Sequence, residues 1–98
     1  MRVEATPEFH EWIDALEDRA GRARIQVRID RLIHGNAGHA RRLGDGVSEL
    51  KIDFGRGYRV YYTTRGTRVL LLLLGGDKSS QRKDIAKAIK LAKEFQER

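Results

Sequence analysis

Ninety-eight residues without a cysteine exclude a disulfide framework, a thiolate metal site and a cysteine nucleophile, and leave room for one domain, residues 1–98, with one core. Lysine and arginine total 20 against 14 acidic residues, a net charge of +6 with a pI near 10.1; such a surplus favours a nucleic acid or an acidic protein as partner, although a solvated basic surface reads the same way. The opening stretch MRVEATPEFHEW has no apolar h-region, and the longest strongly apolar run, Val69 to Leu74, is six residues, far short of a membrane span, so a cytoplasmic protein with no membrane contact is expected.

Met1 to Ala5 reads as a short edge strand. Thr6-Pro7 is a helix start, a capping hydroxyl followed by proline in the first turn. Phe9, Trp12, Ile13 and Leu16 then recur at helical spacing as one apolar stripe. A second helix is predicted from about Arg19 to His34, with Ile25, Ile29, Leu32 and Ile33 buried and Gly35-Asn36 as its stop. So short a connection predicts a helical hairpin. Asn36 to His39 is loop, Arg41 to Leu43 begins a short strand, and Gly44-Asp45-Gly46 is a turn.

Alternation follows. Leu50, Ile52 and Phe54 point to one side, and Glu49, Lys51 and Asp53 to the other. After a Gly55-Arg56-Gly57 turn, Val60 and Tyr62 share one face, and Arg59, Tyr61 and Thr63 the opposite one. Arg65-Gly66-Thr67 turns the chain again. Val69 to Leu74 has no polar side, which predicts a central strand covered on both faces and ended by Gly75-Gly76. A last helix is expected from Ser79 or Ser80, with Ile85, Ala88, Ile89, Ala92 and Phe95 buried and Lys83, Lys87 and Lys90 as a basic stripe. If the apolar strand faces cover the hairpin, Lys51 and Arg59 share the opposite surface. Directly opposed residues of an antiparallel pair sit roughly 5 Å apart at Cβ. Alternation sets their common face and leaves their register open.

These residues carry a resemblance. GNAGHARRLGDGVSELKIDFGRGYRVYY, followed by LLLLLGGDKSSQRKDIAKA, resembles the HigB-like branch of the RelE/ParE toxin superfamily, the addiction module killer proteins. The ordered set of a GN loop, GVSEL, a G-x-GYRVYY strand and GGDK before a helix carries it. The resemblance implies an α+β fold, with two N-terminal helices on a small twisted, mainly antiparallel sheet and a C-terminal helix. It implies a type II toxin with a cognate antitoxin, commonly a helix-turn-helix DNA-binding protein. The RelE-type activity it implies is endonucleolytic cleavage of mRNA on the ribosome.

The chemistry can be reasoned from the residues. An RNA strand is cut when its own 2′-OH attacks the adjacent phosphate, which needs no metal and no cofactor. Fixed cations stabilise the charge that builds on phosphorus without reorganising during the reaction. Arg59, with a planar fork in mid-strand, is expected in that role. Lys51 is expected as base or second stabiliser, and Lys78, after the Gly-Gly exit, as a third catalytic cation at the rim. Arg41, Arg42, Arg56 and Arg82 are expected as surrounding RNA contacts, with Tyr58 and Tyr61 stacking on bases or holding sugar hydroxyls. The same pattern also suits solvated strand residues paired with Glu49 and Asp53. His10, His34 and His39 lack metal-ligand spacing and read as surface or helix-end residues, with His39 in its loop kept as an outside candidate for the site. Arg24, Arg28 and Arg31, like Lys83, Lys87 and Lys90, read either as a solvated helix face or as nonspecific phosphate contacts to ribosomal RNA. A ParE-like toxin acting on DNA gyrase through protein contacts is the alternative function, and a non-enzymatic basic docking module a third.

Overall fold

The threonine at position 6 does two jobs. In the computed structural model, which describes residues 1–96, Thr6 caps helix α1 (Pro7–Ala15): its hydroxyl accepts from the Phe9 amide at 3.0 Å and donates to the Leu73 carbonyl at 2.6 Å. The cap thereby ties the helix start to the sheet. Asp18 caps α2 (Arg19–Ile33), accepting from the Gly21 amide at 2.9 Å.

Five strands make one mixed sheet: β1 (Arg2–Ala5), β2 (Ala40–Gly44), β3 (Val47–Ile52), β4 (Tyr58–Arg65) and β5 (Val69–Gly76), in the order β1-β5-β4-β3-β2. Only β1 runs parallel to its neighbour, β5; every other pair is antiparallel. The α+β architecture is the expected one, with β1 at the edge and the uniformly apolar β5 in the interior, buried along its whole length.

The two faces of the sheet differ. Phe9, Ile13, Ile25, Ile29 and Leu32 from α1 and α2 pack on Leu50, Ile52, Tyr58, Val60, Tyr62, Leu70 and Leu72. On the other side α3 (Gln81–Gln96) packs Ala88 and Ala92 against Val47, Tyr61, Leu71, Leu73 and Leu74. Each large apolar side chain taken fully out of water, as Ile25, Leu50 and Leu70 are, contributes roughly 1.5–3 kcal/mol. The change of phase that lets Leu73 and Leu74 both serve the α3 side is a bulge: Tyr61 pairs with Leu74 but Tyr62 with Leu72. Leu73, the extra residue, has its carbonyl taken by Thr6.

Two local expectations change. Gly75-Gly76 belongs to β5 and does not end it. These glycines are there for close approach: a Cβ on Gly75 would enter the Trp12 ring, and one on Gly76 would collide with the Asp84 carboxylate. Helix α3 is not capped by Ser79 or Ser80. Asp77 caps a single 3-10 turn (Lys78–Ser80), its Oδ1 accepting from the Ser79 amide at 2.9 Å, and α3 follows from Gln81. Phe54 lies beyond the end of β3 but packs, half-buried, on the same core as Leu50 and Ile52, as expected, with the Arg24 guanidinium 4.6 Å from its ring centroid.

Candidate active site

The strand register answers what alternation leaves open. Lys51 of β3 lies directly opposite Arg59 of β4 in the antiparallel ladder, and Glu49 opposite Tyr61. The register follows from the connection between the strands, residues 53–57, where Gly55 and Gly57 adopt positive φ of 56° and 75°. Strand β2 adds Arg41 beside Glu49. The turn before α3 adds Lys78, whose amide donates to the Arg56 carbonyl at 3.4 Å.

Two adjoining depressions of about 310 and 420 Å³ share Lys51 and Arg59. The first is also lined by His39, Arg41, Glu49 and Gln81, the second by Asp53, Arg56, Gly57 and Lys78. Five cations face two carboxylates across them, so the surface carries a net positive charge. Lys51 Nζ lies 3.6 Å from Asp53 Oδ1, and His39 Nδ1 lies 3.1 Å from Asp53 Oδ2. That hydrogen bond with His39 is the first cause holding the Asp53 carboxyl below its usual range; Lys51 adds to it.

Arg59 is not on an open surface. Only 5% of it is exposed, and Glu49 beside it is 3% exposed. Arg59 Nη1 donates to the Gly57 carbonyl at 2.6 Å, and Nε sits 3.4 Å from Glu49 Oε1. That nitrogen has no aligned acceptor among the described residues, so the contact with Glu49 is held by charge, not by a directed hydrogen bond. Glu49 also accepts from Arg41 Nε at 3.3 Å and from Gln81 Nε2 at 2.9 Å.

The family model described as phage-derived protein Gp49-like (DUF891) matches residues 11–97. The chain belongs to the Gp49-like family. It is a toxin-like family of the RelE kind, commonly related to toxin–antitoxin pairs. The Gp49-like chain is also 43% identical over 95 residues to an uncharacterized protein of Haemophilus influenzae, covering 97% of this chain and 96% of that one.

Of the residues expected at the site, this Gp49-like domain gathers Arg41, Lys51, Arg56, Arg59 and Lys78. It does not bring Arg42 or Arg82 to it. Arg42 pairs opposite Ser48, one residue out of phase with Arg41, and so faces the other side of the sheet. Arg82 is exposed in the first turn of α3 and lines neither depression. The two tyrosines are a correction: neither offers a ring for a base. Tyr61 is fully buried beneath α3, where desolvation raises its pKa first and the nearby Glu49 adds to it. Tyr58 is 3% exposed in the hairpin core, its hydroxyl donating to Asp18 Oδ2 at 2.6 Å. That bond raises the tyrosine and lowers the carboxyl. Of the α2 arginines, Arg24 and Arg31 are exposed as a solvated face would be, and Arg28 is not free. Arg24 stacks on Phe54, and Arg28 donates to the carbonyls of Lys51, Ala37 and His39 at 2.7, 3.1 and 3.2 Å, holding the loop that carries His39.

Sequence reasoning placed Asp53 on this face as a partner of the cations and held His39 as an outside candidate, but missed Gln81. His39 has one signal, its place in the loop immediately before β2, the strand whose Arg41 pairs with Glu49. Gln81 has none: its role depends on where a helix far along the chain docks.

Proposed function

We propose that this chain is the toxin of a type II toxin–antitoxin pair, HigB-like within the RelE/ParE superfamily, and that it cuts mRNA on the ribosome in the cytoplasm. The observation that carries the reading is the direct pairing of Lys51 with Arg59 across one strand ladder, on a surface that also collects Arg41, Arg56 and Lys78. Strand residues hold their side chains in place, and preorganised charge is the main requirement for stabilising a phosphorane-like transition state.

In this reading the 2′-oxygen attacks phosphorus and the bond from phosphorus to the 5′-oxygen breaks, leaving a 2′,3′-cyclic phosphate and a 5′-hydroxyl. Arg59 and Lys51 take the charge that develops on the non-bridging oxygens, and Lys78 and Arg56 hold the flanking phosphate. His39 is the side chain suited to moving a proton, since its ring has one nitrogen that can donate and one that can accept. A hydrogen bond from its Nδ1–H to Asp53 leaves Nε2 to protonate the departing 5′-oxygen. The 2′ proton leaves to Asp53 or solvent. No cofactor enters. The ribosome supplies the long groove that two small depressions lack. The partner is an antitoxin, commonly a helix-turn-helix protein in this class.

One observation favours the second reading, a ParE-like toxin that acts on DNA gyrase by protein contacts: Arg59, Tyr58 and Tyr61 are buried, which leaves little exposed surface for reading bases. Inducing the protein in cells separates the two. Under the ribonuclease reading translation stops first and transcripts acquire new 5′-hydroxyl ends. DNA-damage signalling with intact transcripts would replace it with the gyrase reading.

A further inference from the structure

A carboxylate at the heart of a phosphate site is an unexpected choice, and Glu49 is such a residue. It is only 3% exposed, and its negative charge opposes the ligand the site is proposed to hold. Burying an ion pair seldom stabilises a fold more than apolar side chains of the same volume would. Its contacts show a different use. Oε1 meets Arg41 Nε of β2 at 3.3 Å and Arg59 Nε of β4 at 3.4 Å; Oε2 accepts from Gln81 Nε2, the first residue of α3, at 2.9 Å. One side chain on β3 therefore joins three other elements at a single point.

We infer that Glu49 is a positioning residue that fixes the Arg59 guanidinium for phosphate. Glu49 holds Nε from one side, and the Gly57 carbonyl holds Nη1 from the other at 2.6 Å. The directed bond to Gly57 and the charge contact with Glu49 together restrain the guanidinium, and Nη2 is the nitrogen left for a phosphate oxygen. Gln81 pins the carboxylate in turn, so the start of α3 determines where Arg59 points. This deepens the ribonuclease reading and rests on it: Glu49 acts through Arg59 and touches no substrate. The inference separates two effects of the charge. Glu49 weakens attraction of RNA to the surface but aligns the cation that stabilises the transition state.

Glu49→Gln tests it, because the amide keeps the shape while removing the charge and one of the two acceptor oxygens. Single-turnover cleavage of mRNA on ribosomes is measured against RNA concentration, beside the thermal midpoint and the Arg59 Nε–H resonance. The expected result is a maximal rate lower by about 10²-fold, the scale of an ångström of misplacement, with half-saturation at equal or lower RNA. The Arg59 resonance should shift, because the carboxylate charge beside Nε is gone. A maximal rate and an Arg59 resonance both equal to those of the unaltered protein would overturn the inference. If Glu49→Gln does not fold, Gln81→Ala, at the half-exposed helix start, takes its place, and the same split in smaller measure is expected. An equal loss of binding and rate together with a lower midpoint would mean a structural role only. If the unaltered protein cuts no RNA, the ribonuclease reading fails, and the resonance still reports whether Glu49 orders Arg59.

Discussion

Replacing Arg59 by methionine keeps the length of the stem and removes the guanidinium. The structure sets the size of the effect. Glu49 would stay buried and lose one of its three partners, retaining Arg41 at 3.3 Å and Gln81 at 2.9 Å. Breaking a buried ion pair from one side costs about 3–5 kcal/mol, and two surviving partners place this case near 3. For a chain of 98 residues the unfolding entropy is about 0.2 kcal/mol per degree, so the thermal midpoint should fall by about 15 °C. The double variant Arg59→Met/Glu49→Gln removes the stranded charge and should recover to within about 1 kcal/mol of the unaltered protein. Cleavage should behave differently. Loss of one preorganised donor costs about 10²–10³-fold in rate, and restoring the fold should not restore it. Calorimetry and single-turnover cleavage on the three proteins make the comparison. A double variant as unstable as the single one would refute the account of the buried pair. A double variant that cuts as fast as the unaltered protein would refute the role of Arg59.

The three tyrosines provide a pH test: Tyr58 is raised first by its bond to Asp18, and Tyr61 and Tyr62 first by desolvation. A group whose folded pKa lies above its unfolded value contributes stability that is complete below the unfolded pKa, about 10 for tyrosine, and lost as pH rises beyond it. Tyrosinate absorbance should therefore appear only with unfolding above about pH 10, and ionisation of a tyrosine near that value in the folded chain would refute the burial of these rings. Gly75→Ala would place a methyl group inside the Trp12 ring, and overpacking of this kind costs about 1–3 kcal/mol. Thermal unfolding should show the loss, and an unchanged midpoint would mean that α1 lies farther from β5.

Much of the fold is legible in the residues because it follows from local stereochemistry. Thr6-Pro7 marks a helix start wherever the helix goes. The two-residue period places Lys51 and Arg59 on one face whatever pairs with them, and the unbroken apolar run of β5 requires cover on both sides. Three things needed the folded chain. The opposition of Lys51 and Arg59 depends on how the five residues between the strands turn. The burial of Arg59, Glu49 and Tyr61 depends on α3, which begins at Gln81, more than 20 residues after Arg59. Alternation names the face of a strand residue but not what covers it. The His39–Asp53 contact joins a loop to a turn fourteen positions later. Side-chain direction is a property of one strand and is written in its sequence. Burial and charge pairing belong to the meeting of distant segments, so only tertiary structure decides them.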